Sequence, residues 1–484
     1  MGDEPIQGNL HLTSLGLDLP SNKIQTQYEA LSYVWGKRTQ GNPKTIILDG
    51  KDVEITENLG AALRRLRLPQ ISRYTSVSPA SFWNNDTRYV APEGAALPPP
   101  ESLEWQELQI FFNREWFWRL WVVQEIALSS SAVMVWGQSE IAWDYVGLAA
   151  PYLRTSHYEV LARYPMPGIY NAYVMYRISN NDDIARLLSL HFLRLLMCTR
   201  QFEASDDRDR IYALPGLHST NHNLNKELFI EPDYGMPVHT IYREASKTII
   251  AQKGNLSVLS NVQHGEDYDF VDGEESWVPM WNKVFTHTLR CGDQDGCHDA
   301  AGGIAMKLLK NHRPSHLCLS GVQEDQVFRY FPVMSQCQLE IQRDTFSTDN
   351  SQFFYELIHA CSDHSLICST LSAGKDCSMV PTYLRHRVIE GDETRFMEAA
   401  KNACDYRRLF FTRSGRLGLG PAAIRGGDSL CILFGADMPF ILQPRGFEYG
   451  LIGEIGERYV KGLMHGEGVQ AFKKKQQEVT FWIR

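Results

Sequence analysis

The sequence has no excess of basic residues: 48 Lys and Arg stand against 57 Asp and Glu, a net charge of −9 with a pI near 5.9. A surface for duplex nucleic acid ordinarily needs a basic excess or stripe, so nucleic acid is excluded as the principal partner. No uncharged apolar run approaches the ~18 residues that span a bilayer, which excludes a membrane span. The opening Met1-Gly2-Asp3-Glu4-Pro5-Ile6 is acidic and lacks the basic and apolar regions of a secretory signal. It also has Ile6 where a myristoylation signal needs Ser or Thr. Ten cysteines are scattered from Cys198 to Cys431 without a CxxC pair, as expected of reduced thiols in a soluble, cytoplasmic protein. Walker A, HExxH and GxSxG motifs are missing as well. What is present is ordinary globular material, 43% hydrophobic, enough for two or three domains at roughly 150 residues each.

Local patterns divide the chain. Gln27 to Trp35, closed by Gly36, reads as a buried strand and a loop. Thr45-Ile46-Ile47-Leu48 stops at Asp49-Gly50, a hairpin signal with Val53 to Ile55 as the return strand. Thr56 caps a helix whose Leu59, Ala62, Leu63 and Leu66 recur at spacings of three and four. Residues 69–100 hold Pro69, Pro79, Pro92 and Pro98-Pro99-Pro100 and read as a loop-like insertion. A single helix is expected from Leu103 to about Leu128, then a strand from Ala132 to Trp136 ended by Gly137. From about 140 to 260 the pattern is mainly helical, with a segment from Leu187 to Leu196 buried on most sides and a helix around 239–252. Residues 264–275 read as a surface loop, and 290–400 are mixed. From about 407, short strands at 408–412, 417–420, 429–433, 440–442 and 449–453 with Gly-rich turns indicate a small antiparallel sheet or barrel.

The densest chemical feature is aromatic. Seven of the eleven tryptophans lie between Trp83 and Trp143. Within the expected helix, Trp116, Phe117, Trp118 and Trp121 surround Arg119, and Gln124-Glu125 follow. A helix apolar around most of its circumference is buried, so Arg119, Gln124 and Glu125 become buried polar groups that need partners. Glu115 lies four residues before Arg119 and can pair with it. A carboxyl in such surroundings suits acid–base or electrostatic work, and a structural ion pair explains the same residues. Asp267, Asp269 and Asp272-Gly273 are spaced wrongly for an EF-hand and suit a solvated loop. Cys291, Cys297 and His298 lack a second ligand pair, so no metal site is assigned. Gly415, Gly418 and Gly420 precede Pro421 rather than a helix and read as sheet turns, and Lys473-Lys474-Lys475 as a solvated run.

The segments Tyr28-Glu29-Ala30-Leu31-Ser32-Tyr33-Val34-Trp35-Gly36, Ile55-Thr56-Glu57-Asn58-Leu59 with Ala62 to Arg67, and Arg119-Leu120-Trp121-Val122-Val123-Gln124-Glu125 resemble the fungal heterokaryon incompatibility (HET) domain family. Arg208 to Leu214, Ser276-Trp277-Val278-Pro279 and the Gly-rich strands through Gly466-Glu467 are similar to flanking features of its members. The family's middle motif, Trp-Ile-Asp-Ala-Leu-Cys-Ile-Asn-Gln, has no counterpart, and the Pro-rich residues 69–104 stand in its place. A lost strand and helix, or a missing exon, both account for that. The resemblance implies an α+β multidomain chain. It would have an α/β, distantly TIR-like HET domain at 1–150, a helical region at 151–290, a mixed region at 291–406 and an antiparallel β-rich unit at 407–484. It implies fungal non-self recognition and cell-death signalling through protein partners, with homo-oligomerisation left open. The alternative it implies is a TIR-like NAD glycohydrolase, with NAD as substrate and Glu125 as its carboxylate. Tyr33, Trp35 and Trp121 would then be stacking surfaces, and Arg119 and Gln124 further binding residues. A second alternative is a HET-like scaffold recruited to specialised metabolism.

Overall fold

A computed structural model describes residues 7–8, 31–34, 44–66, 97–129, 131–137, 139–179, 192–217, 230–270, 275–283, 298–309, 313–333, 404–456, 463–470 and 478–484. The chain divides into two compact units, Met1–Glu231 and Pro232–Arg484. It combines helices and strands as an α+β protein, with an antiparallel-rich sheet towards the C-terminus.

In the first unit, β1 (Gln7–Gly8) runs parallel to β2 (Lys44–Leu48), which pairs antiparallel with β3 (Lys51–Ile55). Asp49 and Gly50 join the hairpin at φ 48° and 76°, the two left-handed residues of a type I′ turn. Thr56 then caps α1 (Glu57–Leu66), its hydroxyl accepting the Leu59 amide at 3.3 Å. Leu31 to Val34, expected in a buried strand, form no strand pairing, and Leu31 is exposed.

The expected single helix is broken. It forms α2 (Leu103–Phe112), a 3-10 turn (Glu115–Trp118) and α3 (Trp121–Ala127). Arg114 and Arg119 are extended, at ψ 143° and 125°, so Glu115 and Arg119 do not share a helix face. The breaks fold the aromatic run back on itself, and Phe112, Phe117, Val122, Val123 and Ile126 are all buried. The hairpin β4 (Val133–Trp136) and β5 (Ser139–Ala142) follows, then α4 (Trp143–Ser156), α5 (Tyr158–Arg163), α6 (Gly168–Ser179), α7 (Phe192–Thr199) and α8 (Asp209–Tyr212). Gly168 lets α6 start against the end of α2, where an added Cβ would stand 1.8 Å from the Phe112 carbonyl oxygen.

In the second unit, α9 (Val238–Lys253) ends at Gly254 in the left-handed conformation, φ 65°. A barrel follows: β6 (Leu317–Tyr330), β7 (Arg407–Thr412), β8 (Leu417–Pro421), β9 (Ser429–Leu433), β10 (Phe440–Arg445), β11 (Glu448–Glu454) and β12 (Val479–Ile483). The order is β12-β11-β10-β9-β6-β7-β8, and β12 also pairs with the start of β6, which closes a ring. The length of β6, 14 residues, allows this: its first part pairs with β12, its middle with β9 and its end with β7. Bulges after Gln323 and Val327 turn the strand between partners. Val322, Phe410, Leu430, Ile432, Phe434, Ile441 and Ile452 fill the interior. In the expected surface loop at 264–275, Gly265 to Asp267 and Asp269 are exposed, and the two ends, His264 and Glu275, are buried.

Candidate functional site

The motif residues meet in the first unit, and most of their polar atoms are spent on the chain itself. Trp116 donates its indole N–H to the Ser32 hydroxyl at 2.8 Å. Arg119 donates to the Tyr33 carbonyl, and Asn58 of α1 donates to the Val34 carbonyl at 2.8 Å. Three successive residues of the opening segment are thus held by side chains from two other motifs. On the other side of Arg119, the Leu120 amide donates to the Glu203 carbonyl at 2.9 Å, and Glu203 donates back to the Trp118 carbonyl. Trp121 donates its indole N–H to the Asp209 carboxylate at 3.0 Å. Asp209 opens α8, reached through a turn in which Asp206 accepts the Arg208 amide at 3.0 Å and pairs with its guanidinium at 2.7 Å. Gln124 packs over Gly216, where an added Cβ would come within 3.2 Å of its amide nitrogen.

These positions correct one expectation. Glu125 is exposed, and Arg119 and Gln124 are half-buried rather than enclosed. The break at Arg119 is the reason: α3 buries Val122, Val123 and Ile126 and turns Glu125 outward. Arg119 reaches Tyr33, Trp121 reaches Asp209 and Gln124 packs beside Gly216, whereas Trp35 falls outside the described residues. So do Cys291 and Cys297, Asp272-Gly273 and Lys473 to Lys475. Asp267 and Asp269 are exposed, and His298 is buried near the His465 ring at 6.2 Å.

A groove of about 780 Å³ opens elsewhere on this unit, between α2 and the β4–β5 hairpin. Phe111 and Trp136 form its floor, with ring centroids 5.1 Å apart, and Leu103 flanks them. Glu101, Glu104 and Glu107 line it. Glu101 pairs with Arg163 at 2.9 Å, and the Arg114 guanidinium lies 4.6 Å from the Trp136 ring centre. Glu104 accepts from the Ser102 hydroxyl, which holds its carboxyl below the ordinary 4.5. Sequence reasoning missed this site because Trp136 reaches α2 only through the fold.

In the second unit, burial perturbs several groups, His264 and Asp428 among them. His264 is stacked on Tyr268 at 3.5 Å, and burial brings its pKa down to about 4 although it bonds the Ser276 carbonyl at 2.9 Å. Burial pushes Asp428 up to about 6, against the hydrogen bond it accepts from the Arg425 amide at 2.7 Å. Cys198, Cys318, Cys404 and Cys431 stand outside any disulfide, and no helix among the described residues is long and apolar enough to cross a membrane.

Comparison with known proteins agrees with this layout. The family model "Heterokaryon incompatibility protein (HET)" matches residues 28–83, the opening segment and α1 that the network ties together. The "Het-6 beta-barrel domain" model matches residues 368–481, which contain β7 to β11 and most of β12. Strand β6, which closes the ring, precedes that range. A curated relative, heterokaryon incompatibility protein 6, OR allele, of Neurospora crassa, is 21% identical over 456 residues. The alignment takes in 73% of this chain and 65% of that protein, so the chain spans about two thirds of its relative's length. No solved structure matches. A HET match at one end, a Het-6 barrel match at the other and an incompatibility protein as relative make this chain similar to proteins of the HET domain family.

Proposed function

We propose that this chain acts in fungal incompatibility as a cell-death signalling protein that works through contacts with other proteins. The observation that carries the reading is the use of Trp116, Arg119 and Asn58 to hold the Ser32 hydroxyl and the Tyr33 and Val34 carbonyls. Side chains occupied in this way build a surface and leave few donors for a small ligand. The relative's part in heterokaryon incompatibility supports the same reading. A distantly TIR-like N-terminal fold belongs to it as the family expectation. The NAD glycohydrolase alternative asks for a carboxylate in an enclosing pocket, where charge can be stabilised away from water, whereas Glu125 is exposed on α3.

Inducible expression of the full chain in a fungal host tests this. Wild type should arrest growth, and Arg119→Ala should relieve the arrest at equal protein level because the Tyr33 carbonyl loses its donor. Unimpaired growth at high wild-type expression refutes the proposal.

A further inference from the structure

The second unit holds a hydroxyl, an imidazole and a carboxylate in hydrogen-bonded series. Ser315 Oγ lies 2.9 Å from His316 Nδ1, and His316 Nε2 lies 3.0 Å from Glu448 Oε1. Glu448 also accepts from the Arg313 guanidinium at 3.1 Å, which fixes the carboxylate in place. An ionised carboxylate only accepts, so the neutral ring carries its proton on Nε2 and turns the Nδ1 lone pair to the serine hydroxyl. Nucleophile, base and orienting carboxylate thus follow one another in the order that acyl transfer uses.

Local structure prepares the serine. Arg313-Pro314-Ser315-His316 is a turn, closed by the His316 amide donating to the Arg313 carbonyl at 3.1 Å. Pro314 stands at its second position, where the fixed φ of proline favours turning. The fully buried Trp277 donates its indole N–H to the Ser315 carbonyl at 2.9 Å, which pins the turn. His316 leads directly into β6 and is buried, whereas Ser315 keeps part of its surface open to water. Among the described residues the Ser315 amide N–H makes no hydrogen bond. That donor stands on the same residue as the nucleophile, where it can meet the oxygen of a tetrahedral intermediate. One such donor stabilises less charge than a pair, which suits esters with good leaving groups.

We propose that Ser315 is the nucleophile of an esterase site for small activated esters, with His316 as its base and Glu448 positioning the ring. Ser315 Oγ bonds to the ester carbonyl carbon as its proton passes to His316 Nδ1. The bond to the alcohol oxygen then breaks, and the departing alkoxide takes that proton. Water attacks the acylated serine and gives a proton to Nδ1. The acid leaves and the proton returns to Ser315 Oγ, so ester and water become acid and alcohol. The site lies outside the residues on which the contact-based reading rests, so the fate of one does not decide the other.

Labelling of the full chain with a fluorophosphonate probe, mapped by mass spectrometry, tests this together with hydrolysis of p-nitrophenyl acetate. Ser315 should carry the label. Ser315→Ala removes one oxygen and should lose the label and lower hydrolysis ~100-fold, and His316→Gln should slow both by a similar factor. Glu448→Gln should lower kcat and leave KM for the ester unchanged. Circular dichroism should show every variant folded. A folded wild type without label on Ser315, or Ser315→Ala protein that hydrolyses the ester as wild type does, overturns the site.

Discussion

His264→Phe should flatten the acid sensitivity of the barrel unit. The ring is buried, stacked on Tyr268 at 3.5 Å, with Nε2 donating to the Ser276 carbonyl at 2.9 Å. Burial is the main cause of its low pKa, about 4 against the ordinary 6.5, and Lys283 lowers it further while the Ser276 and Leu451 backbone bonds oppose. As pH falls below 6.5 the unfolded chain takes up a proton that the folded ring refuses, so stability is lost progressively down to the folded value. At about 1.36 kcal/mol per pKa unit, the full loss is roughly 3 kcal/mol, of which about 2 kcal/mol has appeared by pH 5. Phenylalanine keeps the stacking shape and removes the titration. Its lost hydrogen bond costs about 1 kcal/mol at every pH, so the slope and not the level is diagnostic. The assay is urea unfolding followed by peroxide oxidation of Met438, a fully buried thioether in this unit whose chemistry does not depend on protonation. Wild type should lose about 2 kcal/mol more than the variant between pH 7.5 and pH 5. Parallel losses in the two proteins would refute the assignment of acid sensitivity to His264.

Asp428 works in the opposite direction. Its folded pKa, about 6, lies above the ordinary 3.8, so its share of stability is fully present below about pH 4 and falls as pH rises towards 6. Asp428→Asn should therefore gain on wild type by about 2–3 kcal/mol between pH 4 and pH 7, read by the same Met438 oxidation, and an unchanged difference would contradict it. Gly168→Ala should destabilise the first unit sharply, because the new Cβ would meet the Phe112 carbonyl oxygen at 1.8 Å, and thermal melting would show it. Trp121→Phe should cost about 1–3 kcal/mol by leaving the buried Asp209 carboxylate without the indole donor, measured by urea unfolding. Ile432→Ala in the barrel interior, where the residue is fully buried, should cost about 2–5 kcal/mol on Met438 oxidation.

The legible parts of this fold were those set by near neighbours. Asp49-Gly50 must supply two left-handed residues, and Thr56 must satisfy an orphan amide, so both could be read locally. The strands from Arg407 onward announce themselves through Gly-rich turns. The breaks at Arg114 and Arg119 carry no proline or glycine. They arise from tertiary demands, chiefly the pairing of Trp118 and Leu120 with Glu203. Because those breaks set the phase of α3, the exposure of Glu125 could not be read from helical periodicity. Strand β6 was obscured by Gln323, Glu324, Asp325 and Gln326, polar residues at the bulge where it changes partners. Of the candidate residues, Arg119 reads in the sequence as a polar group in need of a partner, whereas Trp121 reads only as a stacking surface, its indole donor overlooked. Their partners, Tyr33 and Asp209, come from 86 and 88 residues away, a separation that no local pattern encodes.

The claim that this protein signals through contacts is tested most directly by Glu125→Ala in the inducible growth assay. Contact-based signalling predicts arrest equal to wild type, since the exposed carboxylate holds no part of the network. A folded, equally expressed Glu125→Ala protein that no longer arrests growth would contradict it and favour a reaction at that carboxylate.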